Sequence, residues 1–140
     1  MTSARPRRPF PLQHLLPPVL KDVTLDFHWD MERLWALDLV VTEVAVAELD
    51  WQLQLPMWAY DGQFFAVSPA EVAADPERYH EQYARTLGAD LRYPLHVLDR
   101  PERLTLLDGV HRLLKARLLG LETVQVKKVP MDRLDDIAVR

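Results

Sequence analysis

The sequence predicts a single α+β domain, in which a small mixed β-sheet packs against helices and an extended, proline-rich arm precedes the sheet. Its 140 residues suit one domain, and the 49% of hydrophobic residues can form a substantial core. Short apolar runs typical of strands alternate with capping signals typical of helices. Five of the eleven prolines fall in residues 1–18, where fixed φ angles and missing N–H donors favour an extended arm. Residues 19–140 then form the domain, with its core at about residues 40–130.

In the first half of the domain, the sequence predicts two strands with one short element between them. Weak alternation over residues 19–27 favours a strand, and residues 29–39 predict a short helix or an irregular segment. Residues 44–49 are typical of a strand, with β-branched residues leading into it. The aromatic stretch 51–60 leaves its own state open, and Asp61-Gly62 after it is a turn signal.

Two helix starts follow in the middle of the chain. Ser68 and Glu71 form a capping box with a proline at the first helical position, which predicts a short helix. Asp75-Pro76 begins a second helix, predicted to run from residue 76 to about residue 87 and to end at Gly88. Its apolar face consists of residues four positions apart, namely Tyr79, Tyr83 and Leu87.

The last third predicts three strands and two helices. The strands cover residues 95–98, 103–107 and 123–129. A helix over residues 112–119 ends at Gly120, and a short helix over 133–137 is capped by Asp132. Residues 104–129 therefore fit a strand–helix–strand crossover.

Composition excludes several classes of function. The formal net charge of −4 and the pI of about 5.7 disfavour broad nucleic-acid binding. The absence of cysteine removes disulfides, thiolate chemistry and cysteine-ligated zinc. The histidines show no paired ligand spacing, so no metal site is predicted. No apolar run reaches the roughly 18 residues of a membrane span, and the N-terminus lacks a signal-peptide core, so we expect a cytoplasmic protein that does not bind membranes.

The turn Asp108–Arg112 is the strongest candidate for a ligand site. An apolar strand ends there at Asp108-Gly109, and a helix carrying His111 and Arg112 begins at once. Glycine permits positive φ and a close approach of ligand to backbone, and the first N–H groups of a helix have no intrahelical acceptor. Together with cationic side chains, these features favour an anion, above all phosphate. The alternative is a plain strand-to-helix turn, with Asp108 as the N-cap and the basic residues solvated.

Residues 104–129 resemble the phosphate-binding segment of the ParB/sulfiredoxin superfamily. ParB-type domains carry a strand, a Gly-Glu-Arg-Arg turn, a helix ending in glycine and a short strand; here Gly109-Val110-His111-Arg112 stands at the turn and Gly120 ends the helix. Sulfiredoxins have a Gly-Cys-His-Arg turn, and free serine kinases of the superfamily have Asp-Gly-His-Thr-Arg, in which Asp108 is also matched. The upstream segments 93–98 and 44–49 resemble strands of the same family.

Two departures narrow what the resemblance implies. Val110 replaces the catalytic cysteine of sulfiredoxin, and the chain has no other cysteine, so sulfinic acid reduction is not expected. The sequence reaches Arg140 without the helix-turn-helix region and dimerisation tail of ParB, so centromere binding is not expected either. What the resemblance retains is a phosphate cradle formed by residues 109–112, with Asp108 beside it.

The resemblance implies ATP, ADP or CTP on this cradle, with Mg²⁺ as a further candidate. Phosphoryl transfer or hydrolysis also needs a carboxylate that orients a metal ion or accepts a hydroxyl proton. Serine kinases of this fold place a glutamate near the end of the first strand, where Glu48 and Asp50 lie in this sequence and Glu43 is a further candidate. We therefore expect catalytic roles for Glu48, Asp50, Asp108 and His111.

Three functions stay open. The first is a nucleotide-dependent enzyme, a kinase or NTPase, that acts on a small molecule. The second is a non-catalytic nucleotide-responsive regulator or protein-binding module, for which the arm and the tryptophan-rich region 29–58 could supply a surface. The third, ParB-like nucleic-acid binding or cleavage, is disfavoured by the acidic charge. A nucleotide and a small-molecule substrate are the expected partners, and a homodimer is left open.

Overall fold

The computed structural model describes residues 6–140. Its strands, in chain order, are β1 (Val41–Ala45), β2 (Trp58–Tyr60), β3 (Gln63–Val67), β4 (Leu95–Asp99), β5 (Leu104–Asp108) and β6 (Thr123–Pro130). Its α-helices are α1 (Met31–Ala36), α2 (Pro69–Ala74), α3 (His80–Leu87), α4 (Val110–Leu118) and α5 (Leu134–Ile137). Short 3₁₀-helices cover Gln13–Leu15, Pro18–Leu20, Val46–Glu48, Asp50–Gln54 and Met131–Arg133. The predicted α+β class with a small mixed sheet is confirmed.

The main sheet has four strands in the order β1-β6-β4-β5. β4 and β6 run parallel, whereas the β1–β6 and β4–β5 pairs are antiparallel. The predicted crossover from β5 to β6 is therefore wrong in one respect, because β4 lies between these strands. The chain instead crosses from β4 to its parallel neighbour β6, with β5 and α4 both inside the connection.

β4 lies at the centre of the molecule and is buried on both faces. Leu95 and Val97 belong to a core shared with α2 and α4, whereas Leu98 belongs to a second core shared with α1 and α5. Side chains alternate between the faces of a strand, so His96 points to the same side as Leu98. This side, which faces α1, is where the candidate site begins.

β5 is an edge strand, and a buried side chain covers its free edge. Gln52 is 0% exposed, and its Oε1 accepts a 2.7 Å hydrogen bond from the Leu106 N–H. Its Nε2 donates to the carbonyl oxygen of Leu104 at 3.4 Å. Because unpaired edges invite association with other strands, this glutamine protects β5.

The strand predicted for residues 19–27 is wrong. The segment begins inside the 3₁₀-helix Pro18–Leu20, and within the described part of the chain its strand-like pairing is one isolated bridge between Phe27 and Pro9. Leu16, Leu20 and Val23 are spaced four and three residues apart and pack together with Leu55, a helix-like spacing that overrode the weak alternation. The first five residues of the predicted arm lie outside the described residues.

Other elements differ from the predictions at their ends. β1 covers Val41–Ala45, so the predicted strand at 44–49 gives way to the 3₁₀-helix Val46–Glu48. The second helix begins at His80 rather than Pro76, and Leu87 is 53% exposed rather than on the buried face with Tyr79 and Tyr83. Asp132 does not cap α5, because it lies within the preceding 3₁₀-helix.

Several local predictions are confirmed. The Ser68 capping box is complete, with both of its hydrogen bonds at 3.1 Å. Asp61 and Gly62 both take positive φ, 51° and 77°, and join β2 to β3 in a tight hairpin. Gly120, with φ of 71°, follows α4. These features depend on neighbouring residues alone, which is why the sequence predicts them well.

Candidate functional site: a cleft at the N-terminus of α4

A cleft of about 800 Å³ opens where β5 ends and α4 begins. All of the predicted turn, from Asp108 to Arg112, lines it. Its other walls come from α1, α3, β2, β4, β6 and the loop before β4. They include three aromatic and two basic side chains, namely Trp35, Trp58, Tyr93, Arg85 and Lys127. The cleft therefore combines flat apolar surfaces with positive charge.

Gly109 is required by the geometry of this turn. Its φ of 113° and ψ of 25° lie beyond the range that residues with a Cβ tolerate. A Cβ added there would stand 2.7 Å from Cγ of Leu95. Because Gly109 has no side chain, the start of α4 packs directly against Leu95 of β4.

The first turn of α4 has no side-chain cap. The first intrahelical bond runs from the Leu113 N–H to the Gly109 carbonyl at 2.9 Å, and no side chain of residues 6–140 accepts from the N-terminal N–H groups. The alternative in which Asp108 acts as the N-cap is therefore wrong. The N–H groups of Val110, His111 and Arg112 precede that first bond and have no acceptor on the helix.

Arg112 has different partners from those predicted. Its Nη1 donates to the carbonyl oxygens of Tyr93 and Pro94 at 3.1 and 2.8 Å, and its Nη2 donates to Asp108 Oδ2 at 3.0 Å. The side chain is only 16% exposed. The Nη1/Nη2 side of the guanidinium is thereby engaged, so Arg112 ties the loop before β4 to the turn rather than offering a free bidentate fork.

Asp108 is held on the α1 side of the turn. Its Oδ2 accepts from the indole Nε1 of Trp35 at 3.0 Å as well as from Arg112. The same oxygen lies 3.9 Å from Nδ1 of His96. Asp108 thus connects three elements at the floor of the cleft.

His96 is a residue of the cleft that lies within the strand predicted over residues 95–98 and that the sequence does not single out. It is 6% exposed and lines the cleft, yet neither ring nitrogen has a hydrogen-bond partner among the described residues. Burial lowers the pKa of His96; Lys127 and Arg112 act in the same direction, while Asp108 opposes them. Its place in a strand of apolar residues hid it from the sequence analysis.

His111 is a neutral group in the wall of the cleft. Its ring stacks on Trp58, with centroids 4.6 Å apart and planes 17° from parallel, and its Nε2 lies 2.7 Å from Oε1 of Gln82. Burial, followed by the charge of Arg85, lowers the pKa of His111 to about 4. At neutral pH it therefore contributes no positive charge, and Nε2 carries the proton donated to Gln82.

The remaining basic residues divide into supporting and available groups. Lys115 donates to the carbonyl oxygens of Leu87 and Ala89 at 2.8 and 2.7 Å, which fastens the end of α3 to α4. Arg85 and Lys127 line the cleft without such anchoring among the described hydrogen bonds and ion pairs, and they are its available cations.

The carboxylates predicted from the first strand lie elsewhere. Asp50 pairs with Arg117 at 3.6 Å, near the end of α4 opposite the cleft, and eight residues of helix separate Arg117 from Gly109, or about 12 Å. Glu43 accepts from Thr123 at 3.4 Å. Glu48 ends the 3₁₀-helix that follows β1 and does not line the cleft. The structure therefore gives no support to a role for Glu43, Glu48 or Asp50 at the phosphate cradle.

The described residues contain neither a cluster of metal ligands nor a helix that could span a membrane. Within residues 6–140, no group of three or more His, Asp or Glu side chains is placed to hold a metal ion. Trp35 and Arg112 already occupy Oδ2 of Asp108, and a magnesium ion held together with a bound phosphate stays a prediction. In the same part of the chain, every helix is too short or too polar to span a bilayer.

Comparison with known proteins adds little to this geometry. No family model matches the chain, and no curated protein matches it significantly. Among solved structures, the crystal structure of sulfiredoxin from Arabidopsis thaliana aligns with a TM-score of 0.36 at 12% identity, covering 69% of this chain and 93% of that one. Similarity at this level carries no functional assignment, so the candidate function depends on the cleft itself.

Proposed function

We propose that the cleft binds a phosphorylated small molecule and that its ligand is a nucleotide such as ATP, ADP or CTP. The observation that carries the proposal is the uncapped start of α4, where three N–H groups and the positive end of the helix dipole meet the cleft behind Gly109. The resemblance of residues 104–129 to the phosphate-binding segment of ParB and sulfiredoxin proteins agrees with this placement.

Charge in the cleft supports an anionic ligand. Arg85, Arg112 and Lys127 line it together with two carboxylates, Asp90 and Asp108. Asp108 is neutralised by Arg112 at 3.0 Å, and Asp90 by Arg92 at 2.7 Å. Arg85 and Lys127 then remain to attract phosphate oxygens, in a protein whose overall charge is −4.

The shape of the cleft supports a planar group beside the phosphate. Tyr93 is 63% exposed and Trp35 is 56% exposed, although large aromatic side chains are usually covered. Both line the cleft. A nucleobase stacked on either ring would cover this surface and gain roughly 1–3 kcal/mol.

The test compares two neighbouring lysines. Lys127 lines the cleft, whereas Lys128 points to the opposite face of β6. We expect ATP at 100 times its Kd to stabilise the protein by about 2.7 kcal/mol. Lys127→Ala should weaken ATP binding about five- to tenfold, whereas Lys128→Ala should leave it unchanged.

The outcome is read by thermal unfolding and calorimetric titration with ATP, ADP, CTP and inorganic phosphate. Sodium chloride at matched ionic strength controls for general screening. The proposal fails if none of these ligands binds, or if the two lysine variants lose affinity equally, because the second result would indicate a diffuse charge effect.

Phosphoryl transfer to a small molecule is the second candidate, and the Asp108–His96 pair favours it. A carboxylate 3.9 Å from an imidazole at the floor of the cleft suits a group that accepts a hydroxyl proton. Nucleotide turnover in the presence of pooled metabolites tests this function. Asp108→Asn should abolish turnover and Glu48→Gln should preserve it; turnover that survives the first change places the chemistry elsewhere.

A further inference from the structure

His96 is a buried polar side chain whose hydrogen-bonding capacity is unused. It is 6% exposed, and both Nδ1 and Nε2 lack a partner among the described residues. Leaving buried polar atoms unpaired is unfavourable, so such atoms commonly belong to a site that is completed by a ligand or by water. His96 lines the cleft, so its ring borders the space that a ligand would occupy.

Sheet register places His96 at the start of α4. In the β4–β5 ladder His96 lies opposite Asp108, the residue immediately before Gly109. In the β4–β6 ladder it lies opposite Lys127, one of the available cations of the cleft. An anion held by the first turn of α4 would therefore approach the imidazole as well.

The charged groups around the ring come from three elements. Asp108 on β5 favours a protonated ring, with its Oδ2 3.9 Å from Nδ1, a separation longer than a hydrogen bond. Arg112 on α4 and Lys127 on β6 oppose protonation. Trp35 of α1, which reaches Asp108 from the other side, carries no charge. A bound phosphate would change this balance, because it adds negative charge beside two cations.

We propose that His96 is a ligand-contacting residue of the cleft, which donates a hydrogen bond to the bound phosphate and takes up one proton from the solvent as the ligand enters. This inference rests on the proposed phosphate site. It adds that His96 contacts the ligand and that one proton is taken up on binding. Asp108 stabilises the imidazolium that forms, and the phosphate oxygen accepts the new N–H.

This coupling has a defined sign. In the free protein, burial holds the pKa of His96 below its usual 6.5, and the bound phosphate raises that pKa. Between the two values, binding consumes a proton, so affinity rises as the pH falls, by up to about tenfold per pH unit. Above the pKa of the complex no proton is taken up, and below the pKa of the free protein the ring is already charged.

The experiment is calorimetric titration with ATP from pH 5 to 8, in buffers that differ in ionisation enthalpy so that proton uptake is measured directly. His96→Gln keeps a polar side chain but cannot become charged, and His80→Gln, an exposed position on α3, is the matched control. The difference between wild type and His96→Gln cancels the protonation of ATP itself. We expect wild type and His80→Gln to take up more protons on binding ATP than His96→Gln does. Their affinity for ATP should also depend more steeply on pH.

The results of this titration distinguish the role of His96 from the existence of the nucleotide site. Equal slopes and equal proton uptake in all three proteins, with ATP still bound, overturn the role of His96 and leave the nucleotide site standing. Absence of ATP binding to wild type overturns both. The imidazole NMR signals give a second check, in which the His96 signal is assigned as the one missing from His96→Gln. Addition of ATP should raise the pKa of His96, and an unchanged His96 titration refutes the proposal.

Discussion

Replacing Gly109 by alanine tests the geometry on which the cleft depends. The substitution adds one methyl group at a position where φ is 113°. The new Cβ would stand 2.7 Å from Cγ and 3.2 Å from Cβ of Leu95. Leu95 is 2% exposed within the first core, so it has little room to move away.

Two costs add at this position. A positive φ disfavours residues with a Cβ by about 1–2 kcal/mol, and forcing a methyl group into a packed core costs about 1–3 kcal/mol. Gly62 and Gly120 separate these effects, because both have positive φ but nothing lies within 4 Å of an added Cβ. We expect a loss of about 2–5 kcal/mol for Gly109→Ala and about 1–2 kcal/mol for each control.

Urea and thermal unfolding of the three variants measure this difference. With an unfolding entropy of about 2.1 cal/mol/K per residue, 1 kcal/mol corresponds to about 3 °C in a chain of this length. The Gly109 variant should therefore melt well below both controls. Equal losses in all three variants would refute the close approach of Leu95 and, with it, the described shape of the turn.

Three further predictions concern stability. Gln52→Ala removes the acceptor of the Leu106 N–H in a fully buried position and should cost about 2–4 kcal/mol in urea unfolding, whereas the exposed Gln54→Ala should cost less than about 0.5 kcal/mol. Burial lowers the pKa of His111 to about 4, so the folded protein loses stability as the pH falls from 6.5 to 4. On going from pH 7 to 4.5, His111→Gln should therefore lose about 2 kcal/mol less stability than wild type. An equal loss in both proteins would contradict the burial of this ring. Ser68→Ala should cost about 1 kcal/mol through loss of the capping box, and an unchanged melting temperature would show that another group caps α2.

Elements governed by neighbouring residues were predictable from the sequence, and those governed by distant contacts were not. The capping box at Ser68 and the turn at Asp61-Gly62 depend on a few adjacent residues. The strand expected over residues 19–27 failed because Leu20 and Val23 pack against Leu55, more than thirty residues away. The crossover was placed in the wrong pair of strands because nothing local indicates that β4 inserts between β5 and β6.

The candidate site shows the same division. Sequence alone located the turn, its glycine and the start of a helix there, all of which are local properties of residues 108–113, but it left open whether Asp108 caps that helix. It did not predict that Arg112 would be engaged by the Tyr93 and Pro94 carbonyls, eighteen and more residues upstream. It did not single out His96, because its meaning depends on the strand register that places it opposite Asp108.

These long-range contacts change which groups can select a ligand. If Arg112 were free, one side chain would recognise phosphate directly, and its loss would remove binding alone. Because it instead joins the loop before β4 to Asp108, replacing it would disturb the wall of the cleft and the floor together. In the proposed phosphate site, recognition would then fall to the backbone N–H groups of α4, to Arg85 and Lys127, and to the ring of His96, which has no hydrogen-bond partner among the described residues. A side chain that matches a family motif can thus support a site, while further groups proposed to contact the ligand lie on other elements, namely α3, β4 and β6.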